Sequence, residues 1–258
     1  MKQVIAMGTD IDPENPLLDL YILAQSNKIE PKICLLPTAS GDNNGYINMF
    51  YSIFKRYPCK VSHLSLFRPH TADMEDFLLN QDIIFVSGGQ SKTMLGAWRE
   101  WLIPDMLRKA YDNGTILSGG SAGSVCWFTE CITDSIPGKL TVMPSLGILP
   151  YSNCPHFSSS ERISSYIDNV NNKTISPGYG ICDGAAAHFI DGQLHRSVSH
   201  EDYAATFEIG INSNKRVKTY NLDIERYQRE FIWDTTTFSN ISENSSDIDE
   251  ETSDDTEQ

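Results

Sequence analysis

Short apolar runs alternate with helix-period segments through the first half of this chain, and that alternation restricts the fold more than any other property of the sequence. Lys2 to Gly8 reads as a buried strand, and Pro16 to Lys28 follows as a helix with Leu17, Leu20, Tyr21 and Ala24 on one face. Lys32 to Pro37, Lys60 to Phe67 and Asp82 to Ser87 read as further strands, separated by helices at Asn44 to Tyr57 and Thr71 to Asn80. Ser91 to Tyr111 is apolar at helical spacing, and Pro104 is expected to divide it in two. A fifth strand then runs into Ser121. Strands that alternate with helices predict an α/β fold with a mostly parallel sheet covered on both faces. Ligands of such sheets collect at the carboxyl ends of the strands, where both Gly88-Gly89 and Ser121 fall.

The fifth strand leads into Gly119-Gly120-Ser121-Ala122-Gly123, a G-x-S-x-G match with a helical pattern after it. A turn of that kind exposes a serine hydroxyl and aims the first N–H groups of the helix at what forms on it. Helix capping by Ser121, with the glycines serving close packing, is the structural alternative. A serine nucleophile needs a base held by a third group. His63 and His70 precede the turn and read as surface or core residues, while His188, His195 and His200 fall on or near a late hairpin where an exposed imidazole is expected. His156 differs, because it follows a strand and Pro155 in a loop. Among the acids after it, Asp183 stands in a run of small and apolar residues, Gly180 to Ala187, where a carboxylate needs a partner; a turn aspartate before Gly184 is the plainer reading.

Beyond Trp127 the pattern breaks into shorter pieces with a helix at Ser160 to Asn171. Gly180 to Phe189 and Gln193 to Ser199 read as a hairpin joined by Ile190-Asp191-Gly192, and Tyr203 to Ile209 as one more strand. The net charge of −14 is misleading as a guide to partners. Eight acids and no base lie in the last eighteen residues, and without them the folded part carries −6. Such a surface repels nucleic acid. The segment 239–258 is expected to be an acidic disordered tail behind a domain spanning 1–238. Six scattered cysteines without a C-x-x-C pair, and an apolar start too short for a signal peptide, lead to the expectation of reduced thiols in a cytoplasmic protein with no membrane segment.

Four motifs in order resemble a known family. Val86-Ser87-Gly88-Gly89-Gln90, Gly119 to Trp127, Cys154-Pro155-His156-Phe157 and Asp183-Gly184-Ala185-Ala186 are similar to those of the S51 serine peptidases, the peptidase E (aspartyl dipeptidase) and cyanophycinase group. The likeness covers about residues 1–220 and is greatest to a bacterial branch with the Asp-Gly-Ala-Ala form. It implies a class I glutamine amidotransferase-like, flavodoxin-like three-layer sandwich with serine at the elbow. It also implies Ser121 as nucleophile, His156 as base and Asp183 as acid, where peptidase E has glutamate. The N–H groups of Gly89 and Ala122 are then the oxyanion hole, and Gly88 and Gln90 lie against the substrate. The implied partner is a small peptide, with no cofactor or metal and with the chain acting as a monomer or homodimer.

Peptidase E selects an N-terminal aspartate through an asparagine after the glycine turn and an arginine from a loop after the histidine. Here Gln90 takes the first place, and only Phe157 to Glu161 separate His156 from Arg162, which belongs to the helix. The resemblance therefore implies hydrolysis of short peptides without strict selection for aspartate. Three rivals remain at this point: an α/β-hydrolase esterase using Asp183 with His195 or His200, a non-catalytic amidotransferase-like binding module, and a metal site from Cys154, His156 and Cys182.

Overall fold

In β1 (Gln3–Met7) every residue is buried, and its side chains alternate between two cores, Val4 and Ala6 in one and Ile5 and Met7 in the other. A strand covered on both faces behaves in this way. The computed structural model describes residues 1–222. After β1 come α1 (Leu17–Ala24), β2 (Lys32–Leu36), a 3-10 turn (Thr38–Ser40), α2 (Asn44–Phe54), β3 (Lys60–His63), α3 (Met74–Leu79) and β4 (Ile83–Val86). Next are α4 (Ser91–Glu100), α5 (Ile103–Asp112), β5 (Ile116–Gly120) and a single helical turn, α6 (Ala122–Val125). The five strands pair in parallel in the order β1-β5-β4-β2-β3.

The expected elements are present with trimmed ends. Helix α1 stops at Ala24, and Asn27 turns the chain with φ 54°. The third strand ends at His63 because Asp42 captures the residues just beyond it: the Asp42 carboxylate accepts from the Ser65 hydroxyl and from the Phe67 N–H. Pro104 sits in the first turn of α5, and Leu102 at φ 56° makes the break before it.

The second half holds β6 (Phe128–Ile136), β7 (Lys139–Pro144), β8 (Leu149–Cys154), α7 (Ser160–Asn171), β9 (Gly178–Ile181), β10 (Ala185–Ile190), β11 (Gln193–Ser199), β12 (Thr206–Gly210), β13 (Ser213–Arg216) and β14 (Thr219–Asn221). Strands β10, β11 and β14 extend the first sheet beyond β1, with β10 antiparallel to it. The others form a second sheet in the order β13-β12-β9-β8-β6-β7. The stretch expected to be one hairpin arm, Gly180 to Phe189, is thus two strands in different sheets. It breaks at Cys182-Asp183-Gly184, where Gly184 takes φ 76°.

The layers follow from strand alternation. Ile5, Leu35 and Phe85 pack with Tyr21, Phe50 and Phe54 of α1 and α2. On the opposite face Val4, Leu36 and Leu117 pack with α3, α4 and α5, and the second sheet continues that layer. Phe189 of β10 meets the rings of Phe128 and Tyr179 with centroids 5.6 and 5.2 Å away. The result is a three-layer α/β sandwich. One residue breaks the pattern inside it: Asp19 of α1 is 1% exposed, and among the described residues neither carboxylate oxygen has a hydrogen-bond partner. The acidic tail expected at 239–258 lies outside the described residues.

Candidate active site

Strand order places the site. β5 lies between β1 and β4, with Met7 level with Gly120 and Val86 level with Gly119. The segments that leave these three ends, Gly8 to Asp10, Ser87 to Gln90 and Ser121, therefore emerge side by side. Ser121 adopts φ 52° and ψ −111°, a region a side chain occupies at a cost of about 1–3 kcal/mol. The turn is tight enough that Gly123 rests on the Val86 carbonyl, where a Cβ would overlap it. The N–H groups of Ser124 and Val125 both bond back to the Ser121 carbonyl at 3.0 and 3.1 Å. No side chain caps this helix turn, and among the described residues the Ala122 N–H has no partner.

His156 is delivered by the second sheet. Strand β8 pairs with β9 through Cys154 and Gly180, and beyond that pair each strand carries one site residue. The His156 N–H bonds the Gly8 carbonyl at 3.0 Å and the Phe157 N–H bonds the Ile181 carbonyl at 3.0 Å, so the loop is pinned between both sheets with His156 at φ 53°. Asn153 of β8 also donates to Ser124 Oγ at 2.8 Å, tying this strand to α6. His156 Nε2 then stands 2.9 Å from Ser121 Oγ, and Nδ1 stands 2.6 Å from Asp183 Oδ1. A carboxylate only accepts, so Nδ1 carries the ring proton and Nε2 is left to accept from the serine hydroxyl. Burial pushes the Asp183 carboxyl up, but its bond to His156, the positive charge that ring carries when protonated, Ser158 and Arg162 outweigh burial and hold it below the usual carboxylate range. The shorter acid reaches the imidazole because β9 lies directly beside β8.

The glycine turn after β4 is held at both ends. Gly88 N–H donates to Asp10 Oδ2 at 2.7 Å, and Gln90 N–H donates to the Ala39 carbonyl at 2.8 Å. Between them Gly89 has φ 131°, a conformation L side chains rarely adopt, and among the described residues its N–H has no partner. The Gln90 side chain gives its Nε2 to the Ser135 carbonyl at 2.9 Å. Arg162 is bonded to Asp134 at 2.7 Å, with 11% of its side chain exposed.

The remaining histidines lie elsewhere. His188 is buried rather than exposed, bonded to the Tyr21 hydroxyl and to Gln3, and His195 packs edge-on against it. His200 rests near Gly184 with Nδ1 unpaired among the described residues, and neither it nor His195 forms a hydrogen bond with Ser121. Cys154 and Cys182 are buried free thiols turned to the Pro155 and Phe157 carbonyls. Among the described residues no group of three or more His, Cys, Asp or Glu is placed to hold a metal.

Asp10 lies in none of the sequence motifs. Its Oδ1 accepts from Ile11 N–H at 2.9 Å and from the Tyr46 hydroxyl at 2.5 Å, while burial leaves the carboxyl above its usual range. The available signal was its place just past the end of the first strand, the same rule that singled out Gly88 and Ser121.

The model of Peptidase family S51 matches residues 4–197, a span that contains Gly88, Ser121, His156 and Asp183. The chain belongs to peptidase family S51. As an S51 member it is a serine peptidase of the peptidase E type. It is 45% identical over 213 residues to the uncharacterized peptidase YgaJ of Bacillus subtilis (strain 168), covering 81% of this chain and 92% of that one. Its fold matches the crystal structure of a peptidase from an acI-B1 Actinobacterium with a TM-score of 0.66 at 15% identity, over 87% of this chain and 96% of that one. A putative peptidase E protein from Listeria monocytogenes EGD-e matches with a TM-score of 0.57 at 15% identity, over 81% and 100%. Among the described residues no helix of the S51 chain is long and apolar enough to cross a membrane.

Proposed function

We propose that this S51 peptidase hydrolyses short peptides through a Ser121-His156-Asp183 triad. Ser121 Oγ attacks the scissile carbonyl while His156 Nε2 takes its proton, and Asp183 orients the imidazole and stabilises the imidazolium. The tetrahedral oxyanion is faced by the N–H groups of Gly89 and Ala122, each worth about 3 kcal/mol of transition-state stabilisation. Collapse passes the proton from His156 to the leaving amine and leaves an acyl group on Ser121. Water, activated by the same imidazole, then releases the acid.

The observation that carries this reading is the unbroken run of hydrogen bonds from Ser121 Oγ through both nitrogens of His156 to Asp183. The strained φ of Ser121 adds support, since a cap residue has no need of it. The bonding of His156, rather than His195 or His200, to both Ser121 and Asp183 favours a triad in the order serine, histidine, acid over the esterase order. Short peptides as the substrate class rest on the likeness to peptidase E.

Strict selection for an N-terminal aspartate is not part of the proposal. Arg162 is engaged by Asp134, and Asp10 sets a second carboxyl group near Ser121. An unpaired substrate carboxylate in such a pocket loses several kcal/mol. A panel of dipeptides differing only in the first residue tests both parts. Hydrolysis across the panel, lost in Ser121→Ala, is the expected result. A preference for Asp-X over Ala-X of about a hundredfold or more overturns the specificity reading, and retained turnover in Ser121→Ala overturns the triad.

A further inference from the structure

The ends of β1 and β4 flank β5, so the hydrogen bond from Gly88 N–H to Asp10 Oδ2 spans the strand end from which Ser121 emerges. Contact is close on this path. A Cβ built on Gly88 would strike Asp10 Oδ2 and touch Ser121 Cβ at 3.4 Å, so only glycine leaves room for the carboxylate there. Asp10 is itself fixed, because Oδ1 takes the Ile11 N–H and the Tyr46 hydroxyl from α2. On the other side the turn is held by Gln90 N–H on the Ala39 carbonyl. Of the three successive N–H groups at Gly88, Gly89 and Gln90, the outer two are thus satisfied and the central one is left for a ligand.

We infer that Asp10 is a positioning residue, which clamps Gly88 so that the Gly89 N–H faces the oxyanion formed on Ser121. The inference rests on the reading of Ser121 as nucleophile. A peptide unit next to a glycine with φ 131° has many alternatives open to it, and glycine populates them at little cost. A donor helps the transition state only if it is aimed before reaction begins, without reorganising when charge develops. The clamp supplies that restraint with an acceptor whose other oxygen is anchored. A carboxylate suits the task, since it accepts from the Gly88, Ile11 and Tyr46 donors at once, whereas a neutral amide presents only one oxygen.

Phosphonylation of Ser121 by a fluorophosphonate places a developing oxyanion in the same position and needs no knowledge of the peptide substrate. Its maximal rate and its half-saturating concentration are measured for the wild type, Asp10→Ala and Asp10→Asn. Thr115→Val serves as a control. It removes a buried hydrogen bond to the Gln81 carbonyl at the far end of β5. The expected result is a maximal rate lowered about tenfold or more in Asp10→Ala and by a smaller factor in Asp10→Asn. Half-saturation stays within about twofold, because ground-state binding is not what the clamp serves. Thr115→Val labels at the wild-type rate despite its own loss of stability. If Asp10→Ala does not fold, Asp10→Asn decides on the same criterion. A labelled wild type with an undiminished rate in the folded Asp10 variant overturns the inference about Asp10. So does a loss confined to half-saturation, or one that Thr115→Val reproduces. A wild type that takes no label on Ser121 overturns the nucleophile assignment, and this inference with it.

Discussion

His156 Nδ1 lies 2.6 Å from Asp183 Oδ1, although the two residues are 27 apart in sequence and leave the second sheet from neighbouring strands. The bond fixes which ring nitrogen is free to face Ser121. Replacing Asp183 by asparagine keeps the size but presents an N–H or a weaker acceptor, and the imidazole loses its single tautomer. Asp183→Asn is expected to lower kcat by about 10³ to 10⁴-fold with the fold intact, as measured by peptide hydrolysis beside a thermal melt. Full activity in this variant places the orienting acid elsewhere.

The histidines are ranked by the same geometry. Only His156 bonds Ser121, while His195 packs on His188 and His200 sits near Gly184. His156→Ala is expected to match Ser121→Ala in lost kcat, since residues that act as a unit do not add. His195→Ala and His200→Ala are expected to remain within about threefold of wild type on the same scale. An inverted order in the kinetics supports the esterase arrangement instead.

Asp19 is buried without a hydrogen-bond partner among the described residues, and burial, followed by the charges of Asp10 and Asp12, raises its pKa well above the ordinary value. A carboxyl whose folded pKa is raised binds its proton more tightly in the folded state. The stability it leaves intact below the unfolded pKa is lost as pH rises through the folded value. Asp19→Leu is therefore expected to stabilise the chain by about 1–3 kcal/mol near pH 8, and by less near pH 4. Denaturant melts at the two pH values check this. A variant less stable at both shows that Asp19 has a partner of its own.

His188 has the opposite linkage. Burial, then the charges of His195 and Arg196, lowers its pKa from 6.5 to about 3. Its neutral form holds the Tyr21 hydroxyl and Gln3. A depressed folded pKa means stability that is complete above 6.5 and is lost as pH falls toward 3. Acid unfolding is expected to begin below about pH 6.5, and His188→Gln is expected to flatten that limb while losing about 1–2 kcal/mol at neutral pH. An unchanged acid limb in His188→Gln assigns it to other groups.

The parallel half of the fold was legible in sequence because β1, β2, β4 and β5 are buried along nearly their whole length and read as short apolar runs bounded by glycine or proline. The second sheet was not. Strands such as β7 carry half-buried positions among prolines and turns, and one apolar run, Gly180 to Phe189, serves two sheets. His188 was misread as exposed because an imidazole on a strand carries no sign of its partners, Tyr21 and Gln3, which lie far away in sequence. Ser121, His156 and Asp183 were nameable through the four motifs, yet their contact depends on the pairing of β8 with β9 and on the pin from His156 to Gly8. Asp10 has no pattern around it. Its one sequence signal is its place just past the end of β1, and strand order sets it across β5 from Gly88.

Whether Ser121 is the nucleophile is tested most sharply by mapping a fluorophosphonate adduct on the intact chain by mass spectrometry. One adduct on Ser121, abolished in Ser121→Ala and strongly slowed in His156→Ala, with melting temperatures near that of the wild type, is the predicted result. An adduct on another residue, or peptide hydrolysis that survives in Ser121→Ala, contradicts it.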